Sequence, residues 1–296
     1  MQATQAVHCN KRKEACSVYE ILAREDLAPV TKLLVVHAPT VARAARAGQF
    51  VIIRIHDEGE RIPLTIADYD RQEGAITLIF QEVGKSTMHL GTLQPGHALA
   101  SLTGPLGEPS EIENYGTVLC VGGGVGIAPV YPIARDLKEA GNTVLSIIGA
   151  RNKDLLFWED KMRAVSDELI VCTDDGSYGR KALVTIPLKE WLETRQDIQH
   201  IWAIGPAIMM KFCALTTQPF GVPTTVSLNS IMVDGTGMCG ACRVEVGGQT
   251  RFVCVDGPEF DGHQVDWNQL LARQRIYLEQ EKQAVEKWEH DCQCET

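Results

Sequence analysis

The first third of the chain carries short hydrophobic runs separated by turn residues. Three of the runs lie at 32–36, 50–55 and 75–80, and clusters of Gly, Pro and Asp stand between them. Runs of this length and spacing are typical of antiparallel strands that are joined by tight turns. The pattern therefore predicts a small antiparallel β-barrel, to which we assign residues 17–113.

After the barrel, the hydrophobic positions change to an alternation of buried strands and amphipathic helices. Such an alternation is typical of a doubly wound α/β domain with a parallel sheet. We assign this domain to residues 114–222. Its predicted strands are 118–121, 144–148, 169–172 and 201–204, and its predicted helices are 129–139 and 155–165.

The segment 223–267 is rich in glycine and holds three cysteines. Its hydrophobic pattern predicts only two short strands, at 243–246 and 251–254. A segment of this size cannot bury a core of its own, so we expect a metal to hold it together.

The last unit, 268–296, is predicted to be a helix and a tail. The helix begins at Asn268 as its N-cap and runs to about Trp288, with apolar residues on one stripe. Two interpretations stay open, since the stripe either packs on its own chain or docks a partner. Taken together, the four units predict a multi-domain α+β fold.

Composition narrows the partners and the compartment. Of the 296 residues 45% are hydrophobic, and 28 basic residues against 38 acidic ones give a net charge of -10. This charge repels phosphate backbones and anionic lipids, so no nucleic acid and no membrane is expected as a partner. The ten cysteines are irregularly spaced, as in a reducing cytoplasm, and residues 1–27 lack the apolar core of a secretory signal. We therefore expect a cytoplasmic protein.

A glycine-rich loop at 120–129 follows an apolar strand and opens a helix. The free N–H groups and the positive dipole end of such a helix receive a pyrophosphate, which predicts a dinucleotide site. Arg151 stands where an acidic residue usually ends the next strand, and it suits a ribose hydroxyl or a 2'-phosphate, so NAD and NADP stay open. The candidate residues are Gly122, Gly124, Gly126, Arg151, Asp174, Asp175, Gly205 and Met209.

Two turns of the barrel carry residues that suit a second nucleotide. An arginine-led strip offers a guanidinium for a phosphate and a hydroxyl for a planar ring, and a glycine turn offers backbone N–H groups. Composition alone also allows ordinary turns with a surface arginine. The candidates are Arg61, Pro63, Leu64 and Thr65 in the strip and Gly84, Ser86 and Thr87 in the turn.

The order of these features, together with a Gly-Pro-Leu-Gly turn at 104–107, resembles the ferredoxin-NADP reductase superfamily from about residue 18 to 220. The resemblance implies a six-stranded barrel that binds FAD and a following domain that binds nicotinamide dinucleotide. It places Arg61 on the flavin phosphate and Thr87 with Gly84 on the pyrophosphate. It also places Thr65 near the reactive N5, as the nearest group to a catalytic residue.

Three cysteines of the third segment are spaced for a metal. Cys239 and Cys242 form a C-x2-C motif, Cys254 follows twelve residues later, and Asp234 takes the place of the first cysteine in a C-x4-C-x2-C…C register. Zinc and a group of reduced thiols without metal remain alternatives. The glycines of the 235–240 loop favour a [2Fe-2S] cluster, because a tight loop directs N–H groups at sulfides.

The order of barrel, dinucleotide domain and cysteine module is similar to two families over residues 18–288. One comprises the electron-transfer subunits of dihydroorotate dehydrogenase, which use four cysteines. The other comprises the small subunits of NADH-dependent ferredoxin:NADP oxidoreductases, electron-bifurcating transhydrogenases in which an aspartate ligates the cluster, as Asp234 does in this interpretation. The resemblance implies FAD, NAD(H), a [2Fe-2S] cluster and a larger flavin and iron-sulfur subunit in a hetero-oligomer, to which the C-terminal helix is a candidate contact.

Other functions stay open at this point. The partner is alternatively dihydroorotate dehydrogenase, a hydrogenase or a sulfide dehydrogenase, and a non-catalytic adaptor stabilised by zinc is a candidate of another class. Four terminal cysteines have no assigned role, and a second cluster is one interpretation of them: Cys9, Cys16, Cys292 and Cys294.

Overall fold

A computed structural model describes residues 19–294 of the chain. Cys9 and Cys16 lie outside these residues, and so do the side chains of Cys292 and Cys294. None of the helices in the described part is both long enough and apolar enough to cross a membrane.

The first domain is a six-stranded antiparallel sheet that closes into the expected barrel. Closure comes from the start of the first strand, where the Ile21 N–H donates to the His97 carbonyl at 2.8 Å, next to the last strand. The strands pair in the order β1-β2-β5-β4-β3-β6. The elements are β1 (Ile21–Ala28), β2 (Thr31–His37), α1 (Pro39–Ala44), β3 (Phe50–Arg54), β4 (Ile62–Asp70), β5 (Ala75–Gln81), α2 (Lys85–Thr92) and β6 (Ser101–Leu106).

The second domain has the predicted parallel sheet with helices packed against it. Its strands are ordered β10-β9-β8-β7-β11-β12. The strands after β7 are therefore added first on one side of it, from β8 to β10, and then on its other side, with β11 and β12. The elements are β7 (Thr117–Gly123), α3 (Ile127–Glu139), β8 (Thr143–Ala150), α4 (Glu159–Val165), β9 (Glu168–Thr173), β10 (Arg180–Lys181), α5 (Thr185–Thr194), β11 (Ile198–Ile204), α6 (Ala207–Thr217) and β12 (Thr224–Ser227).

The helix predicted at 155–165 begins later, at Glu159. Residues 153–155 form a single 3-10 turn, and Trp158 has a left-handed φ of 57° that interrupts helical geometry. The predicted start of the helix was wrong because a hydrophobic pattern contains no information about the backbone dihedral angles of a single residue.

The third module joins the sheet of the second domain. It contains β13 (Arg243–Val246), β14 (Gln249–Phe252), α7 (Val253–Asp256) and β15 (Glu259–Asp261). The strand predicted at 251–254 stops at Phe252, so Cys254 lies in a short helix. Strand β15 pairs antiparallel with β12, and Ser227 stands opposite Glu259. The domain limits at 113, 222 and 267 remain our proposal, since β12 belongs to both units.

The C-terminal segment forms two helices, α8 (Trp267–Arg273) and α9 (Leu278–Cys294), where one helix was predicted. The N-cap is Asp266, whose carboxylate accepts the N–H groups of Asn268 and Gln269, so Asn268 is not the cap. The break follows Gln274, whose side-chain amide donates to the Asn229 carbonyl at 2.8 Å and fixes the end of α8. Helix α9 packs on α2 through a ring contact of Trp288 with His89.

Candidate functional site

The first cleft lies between the barrel and the second domain and has a volume of about 490 Å³. We call it the barrel cleft. Strand β4 reaches it because alternate residues face inward: Ile62 and Ile66 are buried, whereas Thr65 is partly exposed at the cleft. The sequence-predicted residues that line it are Pro63, Leu64, Thr65, Thr87, Gly126 and Gly205.

The turn before α2 is held by Thr87. Its hydroxyl donates to the Gly84 carbonyl at 3.0 Å and accepts the Gly84 N–H at 3.1 Å. Gly84 and Ser86 are not among the residues lining the cleft, and Ser86 donates to the Glu60 carboxylate. Arg61 is exposed and also lies outside the lining. The structure therefore brings Thr87 to the cleft and leaves these three candidates at its periphery.

The second cleft has a volume of about 600 Å³ and lies at the carboxyl ends of the parallel strands, on both sides of β7. Open α/β sheets bind ligands at this position. We call it the glycine-loop cleft. The sequence-predicted residues that line it are Gly124, Arg151, Asp174 and Met209.

Of the four other dinucleotide candidates, Gly126 and Gly205 line the barrel cleft, and Gly122 and Asp175 line neither cleft. Gly122 faces the start of α3, where a Cβ atom would lie 3.1 Å from the Ile127 Cα. The Asp175 carboxylate accepts the Ser177 N–H at 2.9 Å and so shapes its own loop. Gly122 and Asp175 thus support the loops of the glycine-loop cleft without lining it.

The two clefts meet at Gln81, Val125 and Pro206, which line both. The two clefts are therefore adjacent, and these three residues border both of them. Sequence reasoning missed Gln81, which ends a barrel strand, whereas Pro206 lies between the dinucleotide candidates Gly205 and Met209. Val125 lies within the predicted glycine loop.

Gly126 is the residue at which the glycine loop approaches the backbone of strand β11 most closely. A Cβ atom there would lie 2.2 Å from the Ile204 carbonyl oxygen. At Gly124, by contrast, φ is +55° and nothing lies within 4 Å of such an atom. Gly126 is thus required by packing, and Gly124 by backbone conformation.

The barrel cleft has a third wall, the Ser-Leu-Asn-Ser segment at 227–230, which sequence reasoning missed. The Leu228 N–H donates to the Pro258 carbonyl at 2.9 Å, and Gln274 holds Asn229, so the segment is fixed at both sides. The Ser230 Oγ is buried without a hydrogen-bond partner in residues 19–294. A buried hydroxyl left unpaired costs free energy, and an acceptor on a ligand bound in the cleft would remove that cost. The polar run after a buried strand was the available signal.

The cluster loop, 234–242, carries three of the four predicted ligands, and α7 carries the fourth. The sulfurs of Cys242 and Cys254 lie 3.2 Å apart and both residues are buried, whereas Cys239 is exposed. The Gly237 N–H donates to the Cys254 sulfur at 3.2 Å. No three His, Cys, Asp or Glu side chains within 19–294 converge as a metal site. The structure therefore brings two of the four predicted ligands together.

Asp234 holds the cluster loop in shape. Its carboxylate accepts the Thr236 N–H at 2.9 Å and the Cys239 N–H at 2.8 Å. The hydrogen bond from Thr236, with that from Cys239 and the nearby charge of Arg61, lowers the pKa of Asp234 below its ordinary value. The group is therefore an anion at neutral pH, as a metal ligand must be.

The residues of this loop fit an iron-sulfur cluster. Three thiols and one carboxylate supply four anionic donors, and at least one backbone N–H already points at a sulfur. Gly235 has a φ of +77°, and a Cβ atom there would lie 2.5 Å from the Ile52 Cδ1 of the barrel. The loop therefore lies directly against the domain that forms the barrel cleft.

Comparison with known proteins matches the third module to a family model described as the iron-sulfur cluster binding domain of dihydroorotate dehydrogenase B, over residues 229–266. A Thermotoga maritima protein, the homolog of the electron transfer subunit of dihydroorotate dehydrogenase B (NAD(+)), is 56% identical over 86% of this chain and 89% of its own. The electron transfer subunit of that enzyme from Desulforamulus reducens is 32% identical over 84% of this chain and 97% of its own.

Two solved structures extend the comparison. A chain of the NADH-dependent reduced ferredoxin-NADP oxidoreductase, solved to study flavin-based electron bifurcation, matches with a TM-score of 0.87 and 51% identity, covering 92% of this chain and 98% of that one. Phthalate dioxygenase reductase matches with a TM-score of 0.58 and 18% identity, covering 77% and 85%, which indicates a shared fold alone.

Proposed function

Since the chain belongs to the family of electron-transfer subunits of the dihydroorotate dehydrogenase B type, we propose that it takes reducing equivalents from NADH and passes single electrons to a partner subunit. The observation that carries this proposal is the wall of Gln81, Val125 and Pro206 that the two clefts share. FAD and a [2Fe-2S] cluster, when bound, convert a two-electron donor into a source of single electrons. The chain supplies position and shielding.

The role of each cleft follows from its lining. The barrel cleft would hold the flavin ring, and Thr65 and Ser230 would offer it their hydroxyls, since both residues line this cleft. The glycine-loop cleft holds the dinucleotide, with Arg151 and Asp174 at its polar end. Val125 and Pro206, two of the three residues that border both clefts, would limit the access of water between a bound flavin and a bound nicotinamide and help to position them for reaction.

We further propose that the partner is the larger flavin and iron-sulfur subunit of an NADH-dependent ferredoxin:NADP oxidoreductase in the cytoplasm, and that the complex bifurcates electrons. Asp234 in place of a cysteine and the 51% identity to a chain of that enzyme support this choice. A dihydroorotate dehydrogenase partner is the second candidate, which the 56% identical Thermotoga maritima relative favours.

Purification of the native complex tests the proposal. We expect a flavin and iron-sulfur absorption spectrum, and NADH should reduce a dye faster than NADPH does. A large subunit with its own flavin and clusters should copurify. Bound zinc without flavin would contradict the proposal, and a copurifying dihydroorotate dehydrogenase would select the second candidate.

Substitution of Asp234 is expected to separate a metal ligand from a loop former. Asp234→Cys should keep the iron and change the visible spectrum, because a thiolate replaces an oxygen donor. Asp234→Ala should lose most of the iron, since the loop loses both a donor and two N–H acceptors. Iron analysis and visible circular dichroism measure both outcomes.

Asp256→Asn is the matched control, because the Asp256 carboxylate also accepts a backbone N–H, from Phe252 at 2.6 Å, in the same module. It should leave the cluster spectrum unchanged. If Asp234→Cys gives an unaltered spectrum, Asp234 does not ligate the cluster and acts on loop shape alone.

Ser230→Ala is expected to weaken FAD binding about 2–10-fold, the range that one neutral hydrogen bond contributes. The reason is that the unpaired Ser230 hydroxyl has no acceptor in the described chain and lines the cleft. Flavin release followed by fluorescence measures the dissociation constant. Ser101→Ala serves as control, because Ser101 accepts from Arg54 away from the cleft lining. Equal effects of the two variants would argue against contact of Ser230 with the flavin.

A further inference from the structure

The junction 257–259 joins the helix of Cys254 to the rest of the molecule. The Gly257 carbonyl accepts the Glu108 N–H at 2.7 Å, which ties the junction to the chain leaving the barrel. The next residue, Pro258, lines the barrel cleft and accepts the Leu228 N–H. The junction thus connects the cluster module with a wall of the cleft.

Glu259 closes this junction with its carboxyl group. The Ser110 hydroxyl donates to Oε1 at 2.5 Å, and the Trp202 indole N–H donates to Oε2 at 3.3 Å. Ser110 follows the barrel, Trp202 lies on β11 and Glu259 lies on β15, so one carboxyl group joins three structural units. A Cβ atom at Gly48 would lie 3.0 Å from Oε1, so the barrel backbone packs against the same group.

Glu259 has no counterion among the described residues. No Lys, Arg or His forms an ion pair with it within the described chain. Burial therefore raises the pKa of Glu259 to about 7, while the hydrogen bonds from Ser110 and Trp202 act in the opposite direction.

Three other titratable groups around Glu259, namely Tyr115, Cys120 and His200, do not change charge near neutral pH. Tyr115, on the segment after the barrel, and Cys120, on β7, both feel the charge of Glu259, and burial raises the pKa of each to about 12. His200, on β11, stacks on the Trp202 ring, and burial lowers its pKa to about 4. The barrel contributes the backbone of Gly48.

We propose that Glu259 is a positioning residue whose protonated, uncharged carboxyl group accepts hydrogen bonds from Ser110 and Trp202 and so holds the junction 257–259 in place between the barrel cleft and the cluster module. Release of its proton to solvent leaves a carboxylate without a counterion, which weakens the junction and changes the alignment of the two sites. The inference rests on the proposed function only in taking the flavin and the iron-sulfur cluster as the groups bound at the two sites. The role of Glu259 at the junction rests on the geometry of the chain.

The sign of the pH effect follows from linkage. The pKa of Glu259 is higher in the folded chain than its ordinary value of 4.5, so the folded state binds the proton more tightly. Its stabilising contribution is complete below the ordinary value and is lost as the pH rises through about 7. A neutral side chain at this position removes that dependence.

Infrared spectroscopy of the purified protein tests the proposal directly. The wild type should show the carbonyl band of a protonated carboxylic acid that disappears with a midpoint near neutral pH, and Glu259→Gln should lack it. Ser110→Ala should move the midpoint to higher pH, because the Ser110 hydrogen bond lowers the pKa. Glu113→Gln, the same change at an exposed glutamate on the same segment, should leave band and midpoint unchanged.

Two further measurements distinguish a positioning role of Glu259 from a purely structural one. From pH 6 to pH 8, values that bracket the midpoint, the wild type should lose several degrees of melting temperature more than Glu259→Gln does. The visible circular dichroism of the loaded protein should change over the same interval in the wild type and stay constant in Glu259→Gln. A titrating band that persists in Glu259→Gln, or equal pH profiles of the two proteins, would overturn the proposal. A protein without flavin and iron would instead contradict the proposed function and leave the infrared test intact.

Discussion

Replacing Cys242 with serine is expected to remove the cluster while the flavin stays bound. The Cys242 sulfur is buried 3.2 Å from that of Cys254, so its loss takes a donor from the center of the proposed ligand set. Changing a group that merely supports a metal ligand costs about 10–100-fold in affinity, and the loss of a ligand should exceed that. Iron per chain and the visible spectrum measure the effect, and flavin content shows that the barrel is intact.

Cys213→Ser is the control, because it makes the same atomic change at a buried cysteine of α6, outside the cluster loop. It should retain iron at the wild-type level. If Cys242→Ser also retains iron and an unchanged spectrum, the cluster has other ligands and the proposed set is wrong.

Gly126→Ala is expected to lower kcat/KM for NADH about 100-fold, the effect of misplacing a reactant by about 1 Å. The added methyl would lie 2.2 Å from the Ile204 carbonyl oxygen, which belongs to a buried strand that cannot move away. The loop must therefore shift, and with it Val125, which lines both clefts. Dye reduction at varied NADH concentration measures the loss.

Gly221→Ala, at a glycine that lines neither cleft, separates this displacement from backbone strain. Nothing lies within 4 Å of its added methyl, and only the left-handed backbone conformation is disfavoured, at about 1–2 kcal/mol. It should lower the melting temperature and keep most of the activity. Equal losses of activity in the two variants would show that strain, and not displacement of Val125, determines the result.

The sequence was most informative where one residue pattern determines one element. The hydrophobic runs at 32–36 and 75–80 predicted strands that the structure confirms as β2 and β5, because a short hydrophobic run bounded by turn residues is contained within the strand itself. The start of α4 and the break between α8 and α9 were predicted wrongly. Both depend on single contacts or dihedral angles, such as the φ of Trp158 and the bond from Gln274 to Asn229, which no periodicity records.

The residues of the site also divide into those that a local motif predicts and those that only tertiary pairing brings together. Thr65 and Thr87 lie at the barrel cleft because their positions follow from motifs that are local in the chain. Ser230, Pro258 and Glu259 reach the same region only through the pairing of β15 with β12, a contact between distant segments. A motif search cannot find residues whose meeting depends on tertiary pairing.

The pairing of β15 with β12 also determines where the chain can be cut into fragments without exposing the edge of a sheet. A fragment that ends before β12 would expose the hydrogen-bonding groups of β11 along a whole edge, and one that ends after β12 would expose those of β12. Unprotected edges of this kind pair with other copies and aggregate. The cluster module is therefore the edge protection of the nucleotide-binding sheet, and its acquisition or loss in evolution requires a compensating change at that edge.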